Sequence, residues 1–92
     1  MVTVKIPPQL RTATGGNGAP KVDGSTVGEV LDALYAEHAD LKERIASEDG
    51  TLRRFVNVFL DGEDIRFLDG LETEVADGDE VTILPAVAGG AR

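Results

Sequence analysis

The 92-residue chain has no cysteine and no tryptophan, and it has one histidine, one tyrosine and three phenylalanines. Without cysteine the protein forms no disulfide and no thiolate metal site, and none of its side chains can carry a persulfide. His38 has no second histidine or cysteine with which to bind a metal, and no nucleophile that the sequence identifies. We interpret it as a surface residue at the joint between two helical segments.

Basic residues are scarce as well, because 9 Lys and Arg stand against 17 Asp and Glu, for a formal net charge of -8. Binding to nucleic acid or to an anionic membrane needs clustered Lys and Arg, so this balance argues against both. Two interpretations of the acidic surface stay open. It keeps the protein in solution, or it steers the protein toward a basic surface on a partner.

No long hydrophobic run is present. The longest apolar stretch, Phe55 to Leu60, is interrupted by Asn57 and is far too short to span a bilayer. The segment from Met1 to Ile6 alternates like a strand and lacks the basic start of a signal peptide. We therefore expect a cytoplasmic protein.

Turn signals and alternation predict several short strands. Asp-Gly pairs mark the turns, because glycine supplies the positive φ that tight turns need. These pairs are Asp23-Gly24, Asp49-Gly50, Asp61-Gly62, Asp69-Gly70 and Asp77-Gly78. Strands are predicted at 2–6, 21–23, 55–60, 65–67 and 81–84, the last one ending at Pro85, and residues 12–20 are predicted to form a flexible loop.

The helical pattern lies in the middle of the chain. Thr26 and Glu29 have the spacing of a capping box, and an apolar stripe follows, so we predict a helix from about Thr26 to Glu37. The stripe consists of Val27, Val30, Leu31, Leu34 and Tyr35. Asp40 and Glu43 repeat the capping spacing, which predicts a second short helical segment.

One amphipathic helix cannot bury its stripe alone, and a mixed sheet with one apolar face is its natural partner. The element order thus predicts an α+β chain with a β-grasp (ubiquitin-like) fold, in which one main helix packs across a mixed sheet. We expect this domain to span residues 1–85, followed by a flexible C-terminal tail at 86–92. The predicted core consists of Val4, Val27, Leu31, Leu34, Val56, Val58, Val81 and Ile83.

The sequence contains no clear motif for ligand binding, metal binding or catalysis by side chains. The glycine-rich stretch Gly15–Gly18 lacks the Lys-Ser/Thr ending of a phosphate-binding loop and does not open a helix. The acidic turns after Leu60 and Ala76 lack the alternating oxygen ligands of a calcium loop. We expect no metal site, no bound cofactor and no catalytic residue, so the protein is not an enzyme by itself.

The tail carries the remaining signal. After the last predicted strand the sequence reads Pro85-Ala86-Val87-Ala88-Gly89-Gly90, followed by Ala91-Arg92. Small residues are common in frayed termini. Two glycines also allow a carboxylate to enter a narrow channel in another protein, because their backbone adopts whatever φ and ψ the channel demands.

Several segments together resemble the MoaD/ThiS family of sulfur carriers, and within it the carriers used in cysteine biosynthesis. The segments that carry the resemblance are Arg54–Asn57, Asp64–Arg66, Gly70–Leu71, Asp77–Val81, Pro85–Gly90 and Val27–Leu31. The resemblance implies that an E1-like enzyme uses ATP and magnesium to adenylate the carboxylate of Gly90. A sulfur donor then leaves a thiocarboxylate at Gly90, with Ala88 and Gly89 forming the tail that enters partner enzymes. The sulfur would pass to a synthase of the cysteine synthase type.

In this sequence Gly90 is followed by Ala91-Arg92, unlike the mature family pattern. The resemblance implies removal of such an extension by a JAMM-type zinc metalloprotease, although the two residues could also be an artificial addition. Synthesis of molybdopterin, thiamin or a thiosugar is an alternative destination for the sulfur. A ubiquitin-like modifier joined to lysines and a plain interaction domain are alternatives of a different class. Phe59 and Leu84, predicted to point outward, are the candidate docking residues for the activating enzyme.

Overall fold

Five strands and two α-helices follow one another in the order expected for a sheet covered by helices. The computed structural model describes residues 1–47, 52–53 and 56–85. The strands are β1 (Val2–Lys5), β2 (Lys21–Val22), β3 (Val56–Leu60), β4 (Glu63–Asp64) and β5 (Glu80–Pro85), and the helices are α1 (Val27–Glu37) and α2 (Ala39–Ile45). Short 3-10 helices span Pro8–Thr14, Ile65–Phe67 and Gly70–Glu72. Within the described ranges, no helix has the length and apolar character needed to cross a membrane.

The strands form one mixed sheet in the order β2-β1-β5-β3-β4. β1 and β5 run parallel, with Val4 opposite Val81, and the other neighbouring strands are antiparallel. The last strand of the chain is therefore the middle strand of the sheet. This arrangement, with α1 as the main helix, confirms the predicted α+β class and β-grasp fold.

A single apolar cluster lies between the sheet and the helices. All eight predicted core residues are buried within it. Strand alternation places Val2 and Val4 of β1, and Val81 and Ile83 of β5, on the same face of the sheet. Further members that the prediction did not include are Val2, Ile6, Leu10, Ala13, Val22, Val30, Leu41, Ile45 and Ile65.

The predicted capping box at the start of α1 is present. Thr26 has extended backbone angles, and its Oγ1 accepts a hydrogen bond from the Glu29 N–H at 3.2 Å. The Glu29 carboxylate in turn accepts a hydrogen bond from the Ser25 N–H at 2.8 Å. The first bond occupies an N–H group that the first turn of a helix leaves without an intrahelical partner, and the second ties the residue before the N-cap to that turn. At the other end, the extended φ of His38 ends α1, and α2 begins at the next residue.

The second predicted capping signal is wrong. The N-cap of α2 is His38, which makes no side-chain capping bond, whereas Asp40 lies inside the first turn. A carboxylate at that position still interacts favourably with the positive end of the helix dipole. The spacing of Asp40 and Glu43 identified a helix correctly but placed its beginning too late.

The loop predicted at residues 12–20 is also partly wrong, because a 3-10 helix spans Pro8–Thr14. Leu10 and Ala13 are buried in the core, and the helix packs against α2. The hydroxyl of Thr14 donates a hydrogen bond to the Asn17 carbonyl at 2.6 Å. Pro8 at the start of this helix fixes φ near the helical value, a signal that favours helix over loop.

The strand predicted at 65–67 is a 3-10 helix, and β4 ends just before it at Asp64. The Asp64 carboxylate accepts a hydrogen bond from the Arg66 N–H at 2.9 Å. This bond turns the chain out of the sheet, since an aspartate that bonds the N–H two residues on forms a turn of its own. Ile65 is buried by the turn, and Phe67 is exposed.

The capping bond of α1 gives a first test. Replacing Thr26 with alanine removes the acceptor for the Glu29 N–H, and such losses cost about 1 kcal/mol of unfolding free energy. We expect that decrease for Thr26→Ala in urea unfolding, whereas Thr26→Ser should keep most of the stability. Equal losses in the two variants would show that the hydroxyl does not stabilise the helix.

Candidate functional site

Both predicted docking residues lie on the outer face of the sheet, opposite the core. Leu84 stands across from Asn57, and Phe59 stands across from Thr82, in the antiparallel pair of β3 and β5. Leu84 and Phe59 are thus diagonal neighbours, a relationship that places side chains about 7–8 Å apart. Leu84 is 44% exposed, whereas Phe59 is only partly exposed. The outer face therefore presents one well-exposed apolar side chain beside a half-covered one.

This patch adjoins the root of the tail. Pro85 is the last described residue and pairs with Val56 at the end of the central strand. The predicted tail residues Ala88, Gly89 and Gly90 lie outside the described residues. In the sequence Gly90 follows Pro85 by five residues, and a fully extended segment of that length spans at most about 18 Å. A partner protein that contacts Leu84 can therefore reach the Gly90 carboxylate only at a point within that distance of Pro85.

The rest of the outer face is polar. Lys5 of β1 lies opposite Thr82, and its Nζ is 3.7 Å from a carboxylate oxygen of Glu80. Both side chains are about half exposed, so this ion pair contributes little to stability. The pair places a positive charge beside the one carboxylate of the central strand.

A second distinctive region is the turn segment, defined as Asp64–Thr73. The guanidinium of Arg66 donates to both carboxylate oxygens of Asp64, with the shortest contact at 2.7 Å. These side-chain bonds, followed by the backbone N–H of Arg66, hold the pKa of the Asp64 carboxyl below its usual value. Two apolar side chains project from this segment, since Phe67 is 84% exposed and Leu68 is 38% exposed.

An open recess of about 570 Å³ lies along the turn segment. Its walls include Val56 and Val58 of β3, Ile65 and Leu71 of the turn segment, and Leu52, and its charged members are Arg53, Arg66, Asp69 and Glu72. The sequence interpretation missed this region because it assigned residues 65–67 to a strand. The adjacent pair Phe67-Leu68 between two Asp-Gly turns was a usable signal, because a strand would send those two side chains to opposite faces.

The part of the chain that the structure describes contains no cluster of metal-binding side chains. Among those residues, no group of three or more His, Cys, Asp or Glu side chains is arranged to hold a metal ion. The acidic turns serve the backbone instead. The Asp61 carboxylate accepts a hydrogen bond from the Glu80 N–H at 2.9 Å, and the Asp79 carboxylate accepts one from the Ala76 N–H at 2.8 Å.

The model of the ThiS family matches residues 4–90, which is nearly the whole chain and includes both glycines of the tail. The chain belongs to the ThiS family. This finding confirms the resemblance inferred from the sequence.

Individual relatives agree with that assignment. The sulfur carrier protein CysO of Mycobacterium tuberculosis is 50% identical over 91 residues, covering 97% of this chain and 98% of its own. A chain in the crystal structure of the Amycolatopsis orientalis BexX/CysO complex is 52% identical, with a TM-score of 0.90 over 98% of this chain and 100% of that one. Small archaeal modifier protein 3 of Haloferax volcanii is 46% identical over 68 residues, covering 74% of this chain and 73% of its own.

The Asp64–Arg66 pair generates a second prediction. Because the folded pKa of Asp64 lies below its unfolded value, its ionised form stabilises the fold above the unfolded pKa. That contribution is lost as the pH falls through the folded pKa. Arg66→Gln should raise the pKa of Asp64 toward its usual value, as measured by carbon NMR of the carboxyl group across an acid titration.

The matched control is Arg44→Gln on the exposed side of α2. It removes the same charge far from Asp64 in the sequence and should leave the Asp64 titration unchanged. If both variants shifted the titration equally, the cause would be net charge rather than the hydrogen bonds of Arg66.

Proposed function

We propose that this ThiS protein is a sulfur carrier whose chemistry takes place at the carboxylate of Gly90. The observation that carries the proposal is the extent of the family match, which runs from residue 4 to residue 90 and so includes Gly89-Gly90. The CysO relative, matched over nearly its full length, is a sulfur carrier protein by name. In this role the chain is a carrier and not an enzyme.

The proposed chemistry has two balanced steps. The Gly90 carboxylate attacks the α-phosphorus of ATP, which gives an acyl-adenylate and releases pyrophosphate. Hydrosulfide, or a persulfide followed by reduction, then attacks the acyl carbon, and AMP leaves with its pair of electrons. The product is a thiocarboxylate in which one oxygen of Gly90 is replaced by sulfur. Adenylation is needed because a carboxylate has no good leaving group.

The absence of cysteine fits this assignment, because the transferable sulfur then has a single place on the chain. A thiocarboxylate sulfur is deprotonated at neutral pH and is a strong nucleophile, as thiolates are. The carrier holds that sulfur on a tether and presents it to the acceptor, which raises its effective concentration there. Glycine at the last two positions leaves the tether narrow enough for a channel in the partner.

The proposed partners follow from the same scheme. An E1-like enzyme supplies ATP, magnesium and the adenylation centre, and it docks on the outer face around Phe59 and Leu84. A JAMM-type zinc metalloprotease removes Ala91-Arg92, so that Gly90 becomes the end of the chain. We place the carrier in the cytoplasm, where ATP is available. None of these steps needs a metal or cofactor bound to the carrier itself.

For the acceptor, we propose a synthase of the cysteine synthase type that takes the sulfur into cysteine. The support is the similarity to CysO over nearly the whole chain. Synthesis of another sulfur compound remains the alternative, because one similar CysO chain was crystallised together with a different protein, BexX. Molybdopterin, thiamin and thiosugar synthases belong to this alternative class.

A second candidate function is protein modification, favoured by the similarity to small archaeal modifier proteins of Haloferax volcanii. The activation step would be the same, but a lysine amine rather than sulfide would attack the Gly90 acyl-adenylate. Immunoblots of cell lysate with an antibody against this protein separate the two functions. Ladders of heavier conjugates would identify a modifier, and a single band would favour the carrier.

The central prediction concerns the end of the chain. Protein that ends at Gly90 should gain sulfur when it is incubated with the activating enzyme, ATP, magnesium and sulfide, whereas protein that ends at Arg92 should not. Two extra residues displace the carboxylate by about 7 Å from the adenylation centre, at about 3.3–3.6 Å per extended residue. Intact-protein mass spectrometry measures the replacement of one oxygen by sulfur.

Protein that ends at Gly89 is the matched control, since it keeps a terminal glycine but shortens the tether by one residue. It should gain less sulfur than protein ending at Gly90. Equal gain by the forms ending at Gly90 and Arg92 would contradict the proposed role of the Gly90 carboxylate. No gain by any form with the enzyme of the same organism would favour a plain interaction domain.

If the activating enzyme docks on the outer face, the Leu84→Asp variant should be adenylated more slowly. A charge placed where Leu84 meets an apolar partner surface should reduce adenylation by about tenfold or more, because burying an unpaired charge is costly. The rate of ATP–pyrophosphate exchange measures this step. The control is Ala36→Asp, which adds the same charge on the exposed side of α1. Circular dichroism checks that both variants fold, and an unchanged exchange rate for Leu84→Asp would remove this face from the interface.

A further inference from the structure

We propose that the turn segment (Asp64–Thr73) and the recess beside it form a second docking surface, which binds a protein segment carrying an apolar side chain flanked by Lys or Arg. The surface goes beyond sulfur transfer, because it does not involve the tail, and its recess lies on the core side of β3 rather than on the outer face. Four observations carry the proposal: the turn segment is held rigidly, it exposes apolar side chains, it borders a recess, and its surroundings are strongly acidic.

Hydrogen bonds hold the turn segment at both ends. Asp64 binds the backbone and the guanidinium of Arg66, and the Leu68 N–H donates to the Ile65 carbonyl at 3.0 Å. At the other end the Asp69 N–H donates to the Thr73 hydroxyl at 3.0 Å. Ile65, at 2% exposure, fixes the beginning of the segment to the core. Docking onto such a segment loses little conformational entropy.

The apolar groups of this surface are arranged for contact. Phe67 and Leu68 project into solvent between Arg66 and Asp69, two residues that line the recess. Leu52 and Leu71, both partly exposed, supply apolar wall, whereas the other apolar members, Val56, Val58 and Ile65, are buried in the core. The volume of about 570 Å³ accommodates a large side chain. Projecting aromatic groups beside an apolar hollow are typical of protein interfaces, where one buried anchor contributes much of the affinity.

Charge identifies the kind of partner. The recess is lined by two basic side chains, Arg53 and Arg66, and by two acidic ones, Asp69 and Glu72. Asp64 already pairs with Arg66, and the Arg53 guanidinium donates to the Glu43 carbonyl. Between positions 61 and 80 Arg66 is the sole Lys or Arg. The acidic residues of that stretch are Asp61, Glu63, Asp64, Asp69, Glu72, Glu74, Asp77, Asp79 and Glu80. A partner with basic groups beside its apolar anchor is attracted to the Asp69 and Glu72 side of the recess. A second copy of this chain, with a net charge of -8, would be repelled.

The two surfaces meet at Asp64, which pairs with Phe59, but the recess of the second surface lies on the opposite face of β3. Val56 and Val58, which line the recess, project to the core side of β3, whereas Asn57 and Phe59 project to the outer face. The turn segment also follows β4, which is the edge strand, while Leu84 lies on the central strand. An enzyme docked at Leu84 therefore leaves the recess accessible to another protein or to another domain of the same enzyme.

The test is a titration of isotope-labelled protein with the blocked peptide Lys-Arg-Leu-Lys-Phe-Arg-Lys, followed by amide NMR. The largest shifts should occur at the amides of Arg66–Gly70. A peptide with Glu and Asp in place of Lys and Arg should produce none. Phe67→Ser should weaken binding about fivefold or more, because the contact area of an aromatic side chain is lost. Phe67 is exposed, so this variant is expected to fold.

Leu84→Ser is the matched control, since it removes an exposed apolar side chain from the outer face, and it should bind the basic peptide as the unaltered protein does. Shifts spread evenly over the acidic surface, or equal affinity of the Phe67→Ser variant, would overturn the proposal. Shifts at the turn segment that grow with protein concentration before peptide is added would overturn it in favour of a second copy of the chain. Because no sulfur chemistry is involved, the outcome is independent of the role of Gly90.

Discussion

The parallel pairing of the first and last strands is the constraint on which the rest of this structure depends. β1 and β5 come from opposite ends of the described chain, yet they lie side by side with Val4 opposite Val81. Two parallel neighbouring strands cannot be joined by a tight hairpin. The chain that connects β1 to β5 must therefore return from one end of the sheet to the other. The helices lie within that connection, and the core closes only when both strands are present.

Central placement of β5 also explains how a short chain can serve as a carrier. The tail continues a strand that has a neighbour on each side, and its root at Pro85 still pairs with Val56 of β3. Reactivity in the proposed function resides in a backbone carboxylate, which needs no pocket, general base or metal on the carrier itself. Activation and transfer can then be supplied entirely by the proteins that bind it.

The acidic residues have two separate uses. Some serve the local fold, as Asp61 and Asp79 do by accepting backbone hydrogen bonds at turns. Others, such as Asp69 and Glu72, remain exposed beside the recess. Composition alone left open whether the negative charge serves solubility or partner binding. The exposed position of Asp69 and Glu72 beside the recess is what makes the second interpretation specific.

The sequence by itself determined the fold class, the main helix and the central part of the core. The capping residues Thr26 and Glu29 and the stripe through Leu34 act within a few residues of one another, so their effect can be inferred locally. The diglycine motif and its family resemblance likewise depend only on the order of residues.

Only the tertiary structure decided where the turn segment lies, that Pro8–Thr14 is helical, and that His38 rather than Asp40 is the N-cap of α2. Each of these outcomes is a competition between conformations of similar local free energy. Burial of Leu10 against α2 and of Ile65 in the core resolves two of them. Those contacts join residues far apart in the chain. Periodicity shows which side chains are buried in a core, but it does not show which distant residues pack against them.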